Sequence, residues 1–327
     1  MSFRDTEQYL PECLDSIRAQ TFQDWELVAV NNVSSDRSPE ILKEYSQRDP
    51  RIRVFDTDRE GLIQALQTSF RHSRGMLLNR MDSDDIMPSN KLELMYQAWM
   101  PHGKGAVIAG GTKYFMDGGA VEGGFKRYER WLNRIAQDQT YQQEIYRECV
   151  IPSQCWLIHR DDFVAADGFR PEVYPEDYDL CFRLYKQKLH IVGINQVLNF
   201  CRDRPDRTSR TDGSYQDNRF FDLKLRYFFE LDRDPKRPLV LWGAGRKGKD
   251  MARLLQARGE PFHWVCDNPN KIGHNIYGIH LESLASITQL DQPQIMIIVT
   301  SPQAWAGILT QLKAWEKLPV RDFWFFA

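Results

Sequence analysis

Gly75-Met76-Leu77-Leu78-Asn79-Arg80-Met81-Asp82-Ser83-Asp84-Asp85 is an apolar run of strand length that ends in three carboxylates within four residues. Ile86-Met87-Pro88 follows, and a helical pattern begins at Asn90. The acids therefore fall at the C-terminal end of a strand and just ahead of a helix, the edge of an open α/β sheet where ligands bind. Crowded carboxylates repel one another and stay ionised together only where a cation or solvent neutralises them. Hard oxygen donors in this number suit Mg²⁺ or Mn²⁺, which keep coordination positions for phosphate oxygens. An acidic turn capping the helix is the plainer alternative, and spacing alone leaves it open. A calcium loop is excluded. Asp82, Asp84 and Glu93 fit its first, third and last positions, but Ile86 and Met87 stand where an oxygen ligand and a glycine are required.

Upstream, residues 9–21 read as a helix with Leu10, Cys13, Leu14 and Ile17 on one face. Residues 25–30 read as a strand ending in Asn31-Asn32, and 34–39 as a loop rich in helix-cap residues. A short strand over 52–55 and a helix over 62–74 lead into the acidic stretch. Strands alternating with helices imply a mostly parallel sheet with right-handed crossovers. Downstream, 92–100 continue a helix, 106–111 form a strand, 112–125 read as a glycine-rich hairpin, and 126–150 are polar and helical.

Two further constellations carry chemistry. Gly168-Phe169-Arg170-Pro171 precedes Tyr174-Pro175-Glu176-Asp177-Tyr178-Asp179-Leu180, whose three acids open a helix where the dipole favours negative charge. Capping alone would also account for them. After a strand over 191–200 comes Arg202-Asp203-Arg204-Pro205-Asp206-Arg207-Thr208-Ser209-Arg210. Guanidinium forks suit phosphate oxygens, whereas a solvated loop balanced by Asp203 and Asp206 is the alternative.

Residues 9–22, the strand at 25–30, the Ser34-Ser35-Asp36 loop and Arg80-Met81-Asp82-Ser83-Asp84-Asp85-Ile86 together resemble family 2 glycosyltransferases of the GT-A fold, over roughly residues 1–210. The resemblance implies an inverting transfer of a sugar from a nucleotide-diphosphate donor, most simply a UDP-sugar, to an acceptor hydroxyl in surface glycan assembly. It implies a divalent metal (Mg or Mn) at Asp84 and Asp82, with Asp85 nearby, and Asn31 and Asp36 facing the nucleotide. Arg204 and Arg207 would contact the diphosphate. Asp177 would be the general base, taking the proton of the attacking hydroxyl, and Glu176 would orient the acceptor. Two departures stand out. Residues 1–5 fall where the family's first strand ends, so that strand is expected to be missing. Asn31-Asn32-Val33 replaces the usual Asp-Asp-Gly. No histidine in 201–210 matches the family's frequent third metal ligand.

A polar linker at 232–238 precedes a second unit. The strand 239–242 runs into Gly243-Ala244-Gly245-Arg246-Lys247-Gly248 and a helix, and the next strand, 262–266, ends in Asp267. This is a G-x-G-x-x-G turn with an acid about 20 residues on, the context of a dinucleotide fingerprint. Gly243, Gly245, Gly248 and Asp267 would mark a second nucleotide site, but a packing or homo-oligomerisation module is the preferred reading, since the unit is only half of a typical dinucleotide site. The organisation expected is a GT-A domain over 1–215, with a mixed, mostly parallel sheet. A connecting helix and linker follow over 216–237, then a small Rossmann-like α/β domain over 238–327. An NAD(P)-binding protein or a non-catalytic nucleotide-binding protein acting through the C-terminal domain stays open as a different reading.

The formal net charge of −2 gives no case for nucleic-acid binding through bulk charge. No apolar run approaches the roughly 20 residues of a membrane span. The N-terminus lacks a signal-peptide core, and the six scattered cysteines show no zinc or disulfide spacing. A cytoplasmic protein is expected. A lipid-linked rather than free glycan acceptor would bring it to the inner face of the membrane as a peripheral protein.

Overall fold

The structure is a computed structural model that describes residues 1–57, 59–170, 173–204 and 220–327. The chain divides into two compact units. One is Met1–Tyr141 with Val150–Thr211, and the other is Gln142–Cys149 with Asp212–Ala327.

The first unit opens with β1 (Ser2–Phe3), α1 (Leu10–Arg18), β2 (Leu27–Asn31), α2 (Ser38–Arg48), β3 (Ile52–Asp56) and α3 (Leu62–His72). The three strands form a parallel sheet in the order β1-β2-β3. The first strand, expected to be missing, is present in two-residue form. The Val30 N–H donates to the Met1 carbonyl at 2.9 Å and the Asn32 N–H to the Phe3 carbonyl at 2.8 Å. Phe3 is buried beside Leu10, Leu14 and Ala29. Two residues carry no periodicity, so nothing in the sequence marks them as a strand.

Then come β4 (Leu77–Asn79), α4 (Lys91–Trp99), β5 (Ala106–Phe115), α5 (Gly123–Asp138), α6 (Tyr141–Glu144), β6 (Trp156–His159), α7 (Arg160–Ala165), α8 (Glu176–Lys186) and β7 (His190–Arg202). A second sheet runs β4-β6-β5-β7, with β6 antiparallel to β4 and β5, and β5 parallel to β7. The hairpin expected over 112–125 is not formed. β5 keeps pairing with β7 from Ala106 opposite His190 to Phe115 opposite Arg202, so the strand continues through Phe115. Only an isolated bridge between Met116 and Gly119 remains before α5. The β5–β7 register shifts around Gly111, where an added Cβ would lie 2.8 Å from the Gln196 carbonyl oxygen. An apolar-walled cavity of about 530 Å³ is lined from both sheets, by Met1 and Val28 on one side and Leu78 and Trp156 on the other.

The second unit holds α9 (Phe220–Leu231), β8 (Leu239–Trp242), α10 (Arg246–Ala257), β9 (His263–Cys266), β10 (Asn275–Ile276), β11 (Ile279–Ser283), a 3₁₀ turn (Leu284–Gln289), β12 (Gln294–Ile297), α11 (Pro302–Ala314) and β13 (Phe323–Phe325). Its sheet runs β10-β11-β9-β8-β12-β13 and is parallel except for the β10–β11 hairpin. The sequence reading has no counterpart for that hairpin. The central strands are buried on both faces, as the near-continuous apolar runs at 239–242 and 295–299 require. α9 packs inside this unit, together with a segment from much earlier in the chain. The Tyr146 ring stacks on Phe326 with centroids 5.0 Å apart and meets Phe228 edge-on. The buried Lys224 ammonium donates to the carbonyls of Arg147 (2.8 Å) and Phe326 (3.1 Å). Burial draws its pKa down to about 8.

At the glycine turn after β8, Gly243 has φ +130°. A Cβ on Gly248 would lie 2.1 Å from the Gly243 carbonyl oxygen, so helix and turn touch through backbone. Overpacking of this kind costs about 1–3 kcal/mol. Gly248→Ala should therefore lower the unfolding free energy of the second unit by that amount in denaturant titrations, read by the fluorescence of its buried tryptophans.

Candidate functional site

The acidic stretch leaves β4 and passes Asp82, Ser83, Asp84 and Asp85 before Ile86 bridges to Phe200 of β7. Asp85 is 1% exposed. One carboxylate oxygen accepts from the Arg202 backbone N–H at 2.9 Å and the other from the Asn199 side-chain amide at 3.0 Å. The Asn199 amide oxygen in turn accepts from the buried Lys91 ammonium at 3.3 Å, which also donates to the Gln154 carbonyl at 2.7 Å. Burial lowers the pKa of Lys91. Both Asp85 oxygens are thus engaged in fastening the acidic loop to β7.

Asp82 and Asp84 keep partly exposed carboxylates. Asp82 accepts from Arg80 Nε at 3.0 Å and from the Gln154 side-chain amide. Asp84 pairs with Arg204 Nε at 3.0 Å, while its backbone carbonyl accepts from Arg202 Nε at 3.0 Å. The Arg202 guanidinium also reaches Glu12 and Asp117. Arg202 and Arg204 lie 4.9 Å and 5.4 Å from the Tyr9 ring, so cation–π contacts gather both arginines on one side of the acids.

Arg80 joins the two acidic motifs. Its Nη1 lies 2.9 Å from Glu176 Oε1, and both side chains are buried. Burial opposes the charge of Arg80, but Asp82, Glu176 and Asp177 more than offset that and hold it ionised. Asp177, next on α8, is half-buried, and its carboxylate accepts from the Tyr178 N–H at 2.8 Å. Asp179 is fully buried against Arg183 at 2.7 Å, and Arg183 also donates to the Gly168 carbonyl at 2.7 Å. That pair fixes α8 to the turn before it.

Asn31 and Asp36 sit on the rim formed by the end of β2. Asn31 donates to Asp56 at 3.0 Å and accepts from the Ser34 N–H at 2.9 Å. Asp36 accepts from the N–H groups of Ser38 (2.9 Å) and Glu7 (2.8 Å). Partial burial pushes its pKa up, and these hydrogen bonds more than reverse that, leaving it below its ordinary value. Asp5, with φ +48°, accepts from the Ser35 N–H at 2.7 Å. Residues 5–9 therefore run from this rim to Tyr9 beside the arginines.

Of the residues singled out in the sequence, Asp82, Asp84, Glu176, Asp177 and Arg204 converge, and Asn31 and Asp36 form the adjoining rim. Arg207 lies outside the described residues. Gly243, Gly245, Gly248 and Asp267 belong to the second unit. The sequence reading gave no individual role to Arg80, Gln154, Asn199 or Arg202. Arg80 had one visible signal, a long cationic side chain two residues before the first acid.

Among the described residues, no group of three or more His, Cys, Asp and Glu side chains is placed to share one ion. Asp82 and Asp84 offer two hard carboxylates from one loop. That donor set fits Mg²⁺ or Mn²⁺ in sites where substrate phosphates fill the remaining positions.

Residues 1–165 match the model of a family described as Glycosyl transferase family 2. The chain belongs to that family. Among curated relatives, Glycosyltransferase GlyG of Streptococcus pneumoniae serotype 4 is 26% identical over 217 residues, covering 64% of this chain and 71% of that protein. Other matches are partial: the chain spans 13% of one curated glycosyltransferase that it matches and 25% of another. Two solved structures share the fold. S. aureus TarS 1–349 in complex with UDP has a TM-score of 0.52 at 16% identity, covering 71% of this chain and 65% of that one. The mannosyltransferase PcManGT from Pyrobaculum calidifontis, in complex with GDP-Man and Mn²⁺, has a TM-score of 0.51 at 17% identity, covering 79% and 67%. The GT-A architecture expected from the sequence is the one observed. No helix among the described residues is long and apolar enough to cross a membrane.

Removing one partner of a buried ion pair costs about 3–5 kcal/mol. Arg80→Met, which removes the cation shared by Glu176 and Asp82, should lower unfolding free energy by that amount in urea titrations, and adding Glu176→Gln should restore part of it.

Proposed function

We propose that the chain moves a sugar, with inversion, from a nucleotide-diphosphate donor of the UDP class to an acceptor hydroxyl in the assembly of a surface glycan or lipid-linked precursor. The observation that carries this reading is the buried Arg80 bridge. It holds Asp82, on the donor side, and Glu176, beside the base, on one cation.

Asn31 and Asp36 take the nucleoside in this reading, and Asp82 and Asp84 face its diphosphate. A divalent cation held by Asp82 and Asp84 supplies charge neutralisation to the departing diphosphate when bound. Arg204 shares Asp84 in the structure and would pass its charge to phosphate oxygens as they arrive. Arg207 is assigned the same work. Asp177 accepts the proton of the acceptor hydroxyl as that oxygen attacks the anomeric carbon, the bond to the diphosphate oxygen breaks, and the configuration inverts. Glu176 acts on the acceptor from behind, through Arg80 and the start of α8, rather than by touching it. The domain division at 215 and 237, the cytoplasmic setting and a peripheral stay at the inner membrane face belong to the same proposal, as does self-association through the C-terminal domain.

General-base catalysis contributes about 10²–10⁴-fold. Asp177→Asn should lower turnover with a UDP-sugar by that factor while leaving the melting-temperature rise with UDP in place. Asp84→Ala should abolish the part of that rise that depends on Mn²⁺. Unchanged turnover in Asp177→Asn would remove the base assignment. A UDP response in Asp84→Ala equal to wild type would remove the diphosphate assignment.

A further inference from the structure

The second unit contains a cavity of about 350 Å³ beside the glycine turn that follows β8. Its walls carry Arg246, Lys249, Arg253 and Lys271 against a single carboxylate, Asp250, with Tyr277 at one side. Lys249 and Arg253 are four residues apart on α10, where like charges destabilise a helix. Among the described residues neither has a carboxylate partner. Arg253 instead lies over the Tyr277 ring, 4.4 Å from its centre. Lys271 donates to the Ala244 carbonyl at 2.9 Å, which brings its charge to the cavity floor. The fold has thus gathered positive charge here at a cost to the helix, with Asp250 the one carboxylate among the described residues of the wall.

The turn itself points the same way. Gly243 is needed by the fold, since a Cβ there would meet the Ile298 carbonyl oxygen at 2.5 Å, and Gly248 is needed for its close approach to Gly243. Gly245 is not. Its φ is an ordinary −76°, and a Cβ would meet nothing within 4 Å. A side chain at 245 would enter open space at the cavity, so what its absence preserves is room for something outside the fold. Asp267, the acid that a dinucleotide fingerprint would set against a ribose, is exposed and is not part of the cavity wall. The volume is at the small end for ligand sites.

We propose that this cavity binds the phosphate groups of a small phosphorylated molecule, a nucleoside diphosphate or a sugar phosphate, and not a dinucleotide. Lys249, Arg253 and Lys271 neutralise the phosphates, and Gly245 lets them approach the backbone. This site stands apart from the donor site proposed above and does not depend on it.

The test is equilibrium binding of UDP, glucose 1-phosphate, pyrophosphate and NAD to the full chain in EDTA. Wild type is compared with Lys249→Gln/Arg253→Gln, with Gly245→Val and with Asp84→Asn, each checked for an unchanged melting temperature. At least one of UDP, glucose 1-phosphate and pyrophosphate should bind wild type, and bind tenfold or more weakly to the double variant and to Gly245→Val, with Asp84→Asn unaffected. Which probe is lost identifies the ligand as nucleotide or sugar phosphate. The proposal is overturned if no phosphorylated probe binds, if the double variant binds as wild type does, if the loss follows Asp84→Asn instead, or if NAD binds more tightly than the smaller probes. Retention on anionic vesicles that the double variant loses, without small-molecule binding, would overturn it in favour of a membrane surface.

Discussion

Arg80 keeps its charge in a place nearly closed to water, and it does so because carboxylates reach it from two directions. Asp82 comes from its own loop and Glu176 from the start of α8, 96 residues later. A guanidinium suits this place because its planar fork meets two acceptors at fixed angles, which a lysine ammonium cannot do. The geometry of the remaining acids follows from it. With Asp82 turned toward Arg80 and Glu176 held behind, Asp177 is the carboxylate of α8 left half-exposed beside the cluster. The family assignment rests on the match over residues 1–165, whereas the physical link from the acidic loop to the start of α8 is this one side chain.

A second layer explains why the loop can hold several acids close together. Asp85 is spent on Asn199 and the Arg202 backbone, Asp179 on Arg183, and Lys91 stands behind Asn199. Buried polar groups must be satisfied, and each of these is. The outer acids, Asp82 and Asp84, are then the ones whose carboxylates stay partly exposed. The distinction between an acid that fastens the fold and one left open is made by burial here, since all of them look alike in the sequence.

Much of this was legible from the sequence because strand ends, apolar runs and motif order are local properties. The acidic loop after β4, the helix opened by Glu176, and the glycine turn after β8 sit where the patterns put them. What was not legible depends on partners far apart in the chain. Nothing in residues 112–125 tells that β7 will keep pairing with β5 past Gly111, so the glycines there suggested a turn. The β10–β11 pair is too short to show alternation. The link from Arg80 to Glu176 has no local signature at all, and the separate fates of Asp84 and Asp85 depend on where Asn199 arrives.

The excursion of Gln142–Cys149 into the second unit has a bearing on how the protein is made. During synthesis the first unit has all its strands once residue 202 has emerged. Tyr146, Arg147 and their neighbours come out of the ribosome well before that point. Their partners, Phe228, Trp305 and Phe326, come much later. For that interval an aromatic, cationic segment is displayed from an otherwise finished domain, and the nascent chain has a surface that the mature protein does not. Cutting the gene at the linker would make that interval permanent, so the two units, compact as each is, cannot be traded as separate cassettes.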